Sequence, residues 1–236
     1  MDGSFSTATA EHTTETAVMI GVHDVSLNAD LHMARVSHGL VVFAHGSGSS
    51  RRSPRNRAVG AVLRSAGFAT LMLDLLTPAE DVIDSETREF RFDIPMLAQR
   101  LVGAIDWASQ QPELRALPVG LFGASTGAGA ALIAAAERPA RVVAVVSRGG
   151  RPDLAGSALA RVRAPTLLIV GGYDSPVIDL NRGVLPEMHC IKQIAIVPGA
   201  THLFEEPGAL ETVAQMARDW FVQYLTTRHG SAQASG

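Results

Sequence analysis

Leu121-Phe122-Gly123-Ala124-Ser125-Thr126-Gly127 places a G-x-S-x-G string directly after a short buried-strand pattern, Val119 to Phe122, and directly before an alanine-rich helical stretch, Ser125 to Glu137. That context suits a nucleophile elbow. The chain reverses so sharply at the serine that the residues two before and two after it must be nearly free of side chain, and Gly123 and Gly127 meet the demand. Ser125 then stands at a helix N-terminus, where unpaired N–H groups and the helix dipole favour developing negative charge. A nucleotide-binding loop fits less well. Gly127-Ala128-Gly129-Ala130-Ala131-Leu132 has Leu where a third glycine belongs, and no Gly-Lys pair for a phosphate loop occurs in the chain.

Outward from this string, short β-branched runs alternate with longer helical stretches, the pattern of a mostly parallel sheet covered on both faces. Eight strands are predicted: Ala17 to Val22, Asp30 to Ala34, Leu40 to Ala44, Phe68 to Leu73, Val119 to Phe122, Val142 to Val146, Pro165 to Val170 and Ile191 to Val197. Helices are predicted over Arg55 to Ala66, which stops at Gly67, over Ile94 to Ser109, over Ser125 to Glu137 and over Gly208 to Leu225. Thr77 to Phe92 reads as a polar loop and Arg148 to Arg163 as a compact connection, too short for a cap domain. Met1 to Glu15 and Arg228 to Gly236 are poor in apolar residues and read as disordered tails around a single domain over 16–227.

A serine hydroxyl needs a base, and the base an orienting acid. Two later strands deliver both: Pro165 to Val170 runs into Gly171-Gly172-Tyr173-Asp174, and Ile191 to Val197 runs into Pro198-Gly199-Ala200-Thr201-His202. Asp174 and His202 therefore fall past the carboxyl ends of their strands, on the sheet edge that Ser125 occupies and where ligands bind in such sheets. Asp179 is the fallback acid, and Asp174 could alternatively cap a helix opening at Ser175-Pro176. The third strand ends in His45-Gly46-Ser47-Gly48, whose glycines admit a bound oxygen to the backbone. The amide of Thr126 with that of Ser47, or of Gly46, is the candidate oxyanion hole.

On these residues the chain resembles the α/β-hydrolase superfamily, and within it the small dienelactone-hydrolase-like members. The resemblance spans about Ala17 to Thr227 and rests on His45-Gly46-Ser47-Gly48, Gly123-Ala124-Ser125-Thr126-Gly127, Asp174 and His202, with Ser, Asp and His in the superfamily's order. Dienelactone hydrolases proper carry Cys as nucleophile; position 125 here is Ser, and the one cysteine, Cys190, precedes the last strand. The resemblance implies a serine hydrolase that cleaves carboxylic esters of small soluble substrates through an acyl-enzyme. Lactonase, thioesterase, amidase or acyltransferase chemistry on the same triad is the alternative, and a ligand-binding protein without turnover the remote one.

Composition limits the partners. The 236 residues carry 20 basic and 23 acidic side chains, a formal net charge of −3, which gives no field to gather nucleic acid or an anionic membrane. No apolar run approaches the roughly 20 residues that span a bilayer. A lone cysteine and the absence of a secretory pattern point to the cytoplasm, as a monomer or homodimer. No metal-ligand spacing is present, and no cofactor is expected. Substrate contacts are sought in His45, Arg52, Leu75 and Arg148, with Leu76 and the segment Glu89-Phe90-Arg91-Phe92 as a further wall in which Phe90 and Phe92 are read as packing rather than as acyl-group contacts. Arg51, Arg52, Arg55 and Arg57, and again Arg148 and Arg151, could hold a substrate carboxylate or simply pair with nearby acids.

Overall fold

The computed structural model describes residues 14–34 and 36–226. The chain forms β1 (Thr14–Val22), β2 (Val25–Met33), β3 (Leu40–Ala44), α1 (Pro54–Ser65), β4 (Ala69–Leu73), α2 (Pro78–Thr87), α3 (Ile94–Gln110) and β5 (Val119–Ala124). Then come α4 (Thr126–Glu137), β6 (Val142–Arg148), a 3₁₀ segment (Pro152–Arg161), β7 (Thr166–Gly171), α5 (Ser175–Val184), β8 (Lys192–Val197) and α6 (Ala209–Leu225). Thr14 and Glu15, placed by composition in the N-terminal tail, belong to β1. The expected tail over 228–236 lies outside the described residues.

One eight-stranded sheet runs in the order β1-β2-β4-β3-β5-β6-β7-β8. The β1–β2 hairpin and the β2–β4 pair are antiparallel, and every pair from β4 to β8 is parallel. All five residues of β3 and of β4 and all six of β5 are buried, because helices cover both faces. On one face Val59 and Leu63 of α1 and Val213, Ala217 and Phe221 of α6 pack on Val41, Phe43, Phe122 and Val146. On the other, α3 and α4 pack on Val42, Leu71, Leu121 and Val145. This is the α/β-hydrolase architecture, and among the described residues the β6–β7 connection holds only the 3₁₀ segment, with no cap domain.

The strand order decides where a site can form. From β3 the chain steps to β4 on one side, then returns to place β5 on the other. The carboxyl ends of β3 and β5 therefore flank a switch point, the position at which sheets of this kind open a crevice.

Two expectations are corrected. The Thr77 to Phe92 loop contains helix α2, begun by a reciprocal capping box in which Thr77 Oγ1 accepts from the Glu80 amide and Glu80 accepts from the Thr77 amide. The one buried side chain of the helix is Asp84, and Val82 and Ile83 are exposed, so no apolar period betrays it. The second strand begins at Val25, five residues earlier than its hydrophobic run, because pairing with β1 extends from Val22↔Val25 to Thr14↔Met33.

Candidate active site

Ser125 sits between β5 and α4 with φ 51° and ψ −123°. For a residue with a Cβ such a conformation costs on the order of 1–3 kcal/mol, and it persists only where the surroundings impose it. They do so by closeness. A Cβ on Gly123 would lie 2.5 Å from Ala128 Cα, and one on Gly127 would lie 2.4 Å from the His45 carbonyl oxygen. The elbow is also tied sideways to the end of β6: the Ser125 amide donates to Arg148 O at 3.2 Å, and Ser125 O accepts from Arg151 N at 3.0 Å. The Ser125 hydroxyl is half-buried and makes no hydrogen bond among the described residues.

Asp174 and His202 arrive from β7 and β8. The two loops run backbone against backbone, since a Cβ on Gly171 would meet the Ala200 and Thr201 carbonyl oxygens at 2.5 Å. Tyr173 N donates to Ala200 O at 2.9 Å. The result is a 2.6 Å hydrogen bond from His202 Nδ1 to Asp174 Oδ2. With Nδ1–H given to the carboxylate, Nε2 is left as the unprotonated nitrogen of the neutral ring. Asp174 also opens α5, but its side chain makes no capping bond and serves the histidine instead. Asp179 is exposed on α5. The His202 ring rests over Gly149, whose Cβ would lie 3.5 Å from His202 Cε1, one residue beyond the Arg148 that binds the Ser125 amide. A hydrogen bond between His202 and Ser125 Oγ is not formed in this state; such bonds often tighten only when substrate arrives.

The β3 loop passes directly over the serine, as a Cβ on Gly46 would lie 2.9 Å from Ser125 Cβ. Thr126 is the first residue of α4, where a backbone N–H has no intrahelical acceptor. The Ser47 amide faces the same helix turn and donates to Thr126 Oγ1 at 3.1 Å, while the two hydroxyls are 2.9 Å apart. The two expected oxyanion donors are therefore neighbours, with one engaged by the threonine hydroxyl.

His45, sought as a substrate contact, lines the cleft at the β3 loop with both ring nitrogens engaged by backbone. It is 7% exposed, its Nε2 accepts from Leu75 N at 2.9 Å and its Nδ1 lies 2.9 Å from Gly46 O. Because Nε2 accepts, Nδ1 must carry the proton and donate. Burial outweighs the Gly46 bond and the Asp74 and Asp81 charges, and the imidazole is held below its ordinary pKa of 6.5. Leu75 is likewise buried in the core, and its carbonyl accepts from Arg100 Nη1, whose guanidinium also grips Glu80. Arg100, Leu75, His45 and Gly46 form one continuous strut under the oxyanion loop. Arg100 carried no sequence signal beyond its place on a predicted helix.

The arginines sort by partner. Arg51 pairs with Asp30 and Asp74, Arg55 with Glu205, Arg57 with Glu15 and Asp30, and Arg151 with Asp153. Arg91 is locked to Asp84, its carbonyl accepts from Ser47 Oγ at 3.4 Å, and it lines a cleft with Gly46, Gly48, Leu76 and Thr126. Phe92 is exposed and Phe90 half-buried, and neither lines that cleft. Arg52 is exposed at the rim of an adjoining depression, and Arg148 is buried. Among the described residues no three His, Cys, Asp or Glu side chains are grouped to hold a metal ion, and no helix is long and apolar enough to cross a membrane.

Comparison with known proteins gives this geometry a context. The crystal structure of dienelactone hydrolase from Anabaena variabilis is 59% identical, with a TM-score of 0.88 over 90% of this chain and 98% of that one. Est1E from Butyrivibrio proteoclasticus, at 16% identity and TM-score 0.72 over 88% and 98% of the chains, shares the fold. Two Mycobacterium tuberculosis proteins named as candidate phosphoribosyl transferases are 55% identical over 208 residues, 88% of this chain but 46% of their own length. The chain thus spans about half the length of the curated relatives it matches. The family model for "Dienelactone hydrolase family" matches residues 33–227, which takes in the elbow, the β3 loop and the Asp174–His202 pair, and the chain belongs to that family of hydrolases.

Proposed function

We propose that the chain is a serine hydrolase that cleaves carboxylic esters of small soluble substrates. The observation that carries this reading is the strained Ser125 at the switch point, sharing one sheet edge with a histidine already oriented by a carboxylate. Ser125 Oγ would attack the ester carbonyl carbon as His202 Nε2 removes its proton. The Thr126 amide and the Ser47 amide would bind the oxyanion, each donor worth roughly 10²–10³ in rate. For that, the Ser47 N–H must turn part of its bond from Thr126 Oγ1 to the substrate oxygen. His202 would then pass its proton to the departing alkoxide, leaving an acyl-Ser125 ester, and a water deprotonated by the same nitrogen would release the acid and restore the serine. Asp174 keeps Nδ1 protonated and stabilises the imidazolium that forms at each step.

Transfer of a phosphoribosyl group is proposed, by name, of mycobacterial proteins more than twice as long as their region of likeness to this chain. The shared region carries the G-x-S-x-G elbow and the hydrolase fold, and ester hydrolysis is the activity we assign to it. Steady-state hydrolysis of p-nitrophenyl acetate and butyrate tests the assignment. Ser125→Ala is expected to lower kcat by roughly 10³-fold or more with the fold intact; an undiminished rate would refute a serine mechanism.

A further inference from the structure

The amino edge of the sheet, opposite the candidate active site, holds a hollow of about 580 Å³. Three stretches of chain meet there: the end of α4 at Ala136, the end of the 3₁₀ segment with the turn into β7 at Ala160, Arg161, Val162 and Arg163, and the turn into β8 at His189. Parallel strands gather these turns for the same reason that they gather Asp174 and His202 at the other ends of β7 and β8. Each of the two strands has 6 residues, which at roughly 3.3 Å per residue puts the hollow about 20 Å from that pair.

Charge in the hollow has one sign. Arg163 and His189 make no hydrogen bond or ion pair among the described residues, and Arg161 meets no carboxylate, giving Nη1 only to Ser157 O of its own segment at 3.2 Å. Arg51, Arg55, Arg57 and Arg151, by contrast, are each paired with a carboxylate of the chain. No acidic residue lines the hollow among the described residues. Glu137, next to Ala136, has both carboxylate oxygens turned to Gln99 Nε2 on α3, at 3.1 and 3.0 Å. Cys190 in the wall adds no anion, because burial pushes its thiol up and it stays protonated at neutral pH. The carboxyl end of α4 contributes roughly half a negative charge, which two guanidinium charges exceed. His189 presents an N–H donor in either neutral tautomer. Beside these polar heads Ala136, Ala160 and Val162 form an apolar wall, and a concave apolar surface with a few convergent polar groups is the make-up of a small-molecule site.

We propose that this hollow is a second binding site, separate from the catalytic cleft, for a small molecule that carries a phosphate or carboxylate on an apolar body. Arg161 and Arg163 take the anionic head from one turn through charged hydrogen bonds, His189 donates from the other turn, and the apolar part lies on Ala136 and Val162. Bound in this way, the ligand ties the turn before β7 to the turn before β8, the strands that carry Asp174 and His202. The site stands independently of the serine-hydrolase reading.

Isothermal titration of the full chain in chloride buffer tests it, with phenyl phosphate and benzoate as the two anionic heads on one apolar body, benzyl alcohol as the neutral counterpart and inorganic phosphate as a head alone. Phenyl phosphate or benzoate, according to the head the site takes, is expected to bind the native chain one to one. The double variant Arg161→Gln, Arg163→Gln should bind it roughly tenfold or more weakly, in line with hydrogen bonds to charged groups. Both arginines are exposed, so the unliganded variant should unfold at the native temperature. Ser125→Ala, changed at the far edge, should bind as the native chain does. Binding lost in Ser125→Ala but kept in the arginine variant would put the ligand in the catalytic cleft and overturn the second site. No binding of either aryl anion to the native chain, equal binding to native and arginine variant, or benzyl alcohol bound as tightly as the anions also overturns it. Inorganic phosphate bound as tightly as phenyl phosphate contradicts the apolar half of the assignment.

Discussion

Ser125 owes its position to what its neighbours lack. Backbone approaches it from three sides, at Gly46, Gly123 and Gly127, at distances no Cβ could share. This much was legible, because the spacing of those glycines around a serine has a single steric reading. Asp174 and His202 were legible for a different reason: each follows a buried strand by a few residues, and parallel strands share a carboxyl edge. His45 lines the cleft, as its place at the end of β3 suggested, but both its ring nitrogens go to the protein's own backbone, and that engagement is not visible in one sequence. Arg148 is another case, a side chain whose sequence position allowed either a salt link or a ligand and whose isolation only the structure exposes. For the acid, the prediction is direct. Asp174→Asn should reduce kcat by roughly 10⁴-fold through loss of the correct histidine tautomer, whereas Asp179→Asn, exposed on α5, should leave it near native. A comparable loss in both, measured on the same p-nitrophenyl ester, would remove Asp174 from its role.

Among the elements, the β3 loop and the start of α2 act together. The capping box at Thr77 fixes Glu80, Glu80 and Leu75 O hold Arg100, and the Leu75 amide holds His45, which donates to Gly46 O. Helix α2 was missed because its only buried side chain is polar. Asp84 accepts from Phe90 N, Arg91 N and Arg91 Nε; burial alone would raise its pKa, but these bonds prevail and hold it below the usual carboxylate range. The one available sign was Thr77 followed three residues later by Glu80. The strut makes the loop sensitive to acid. His45 is neutral when folded and has a depressed pKa, whereas in the unfolded chain it binds a proton below about pH 6.5, its ordinary value. The unfolded state thus takes up more protons as pH falls through that value, and stability is lost on the acid side, by up to about 1.4 kcal/mol per pH unit. Urea unfolding of the native protein and of His45→Gln between about pH 5 and 8 should show a shallower acid slope in the variant. Parallel curves would mean that His45 is not the buried neutral group described.

For the molecule as a whole, periodicity was enough to specify the layers. Fully buried runs marked the central strands, and α6 showed its apolar face at helical spacing, which packs on the sheet beside α1. The outer hairpin was read short because β1 is mostly exposed and β2 is buried only at Leu27 and over 29–31, so pairing rather than hydrophobicity sets their length. What the strand order adds is the meeting of four loops, from β3, β5, β7 and β8, at one crevice that no local pattern contains. The central claim is that those loops assemble a serine nucleophile with a histidine base, and covalent labelling tests it without knowledge of the substrate. Incubated with an excess of a fluorophosphonate, the native protein should gain one phosphonyl group, mapped by peptide mass spectrometry to Ser125, and His202→Ala should label at least 10²-fold more slowly. A folded native protein that stays unlabelled, or that labels elsewhere than Ser125, would contradict the account.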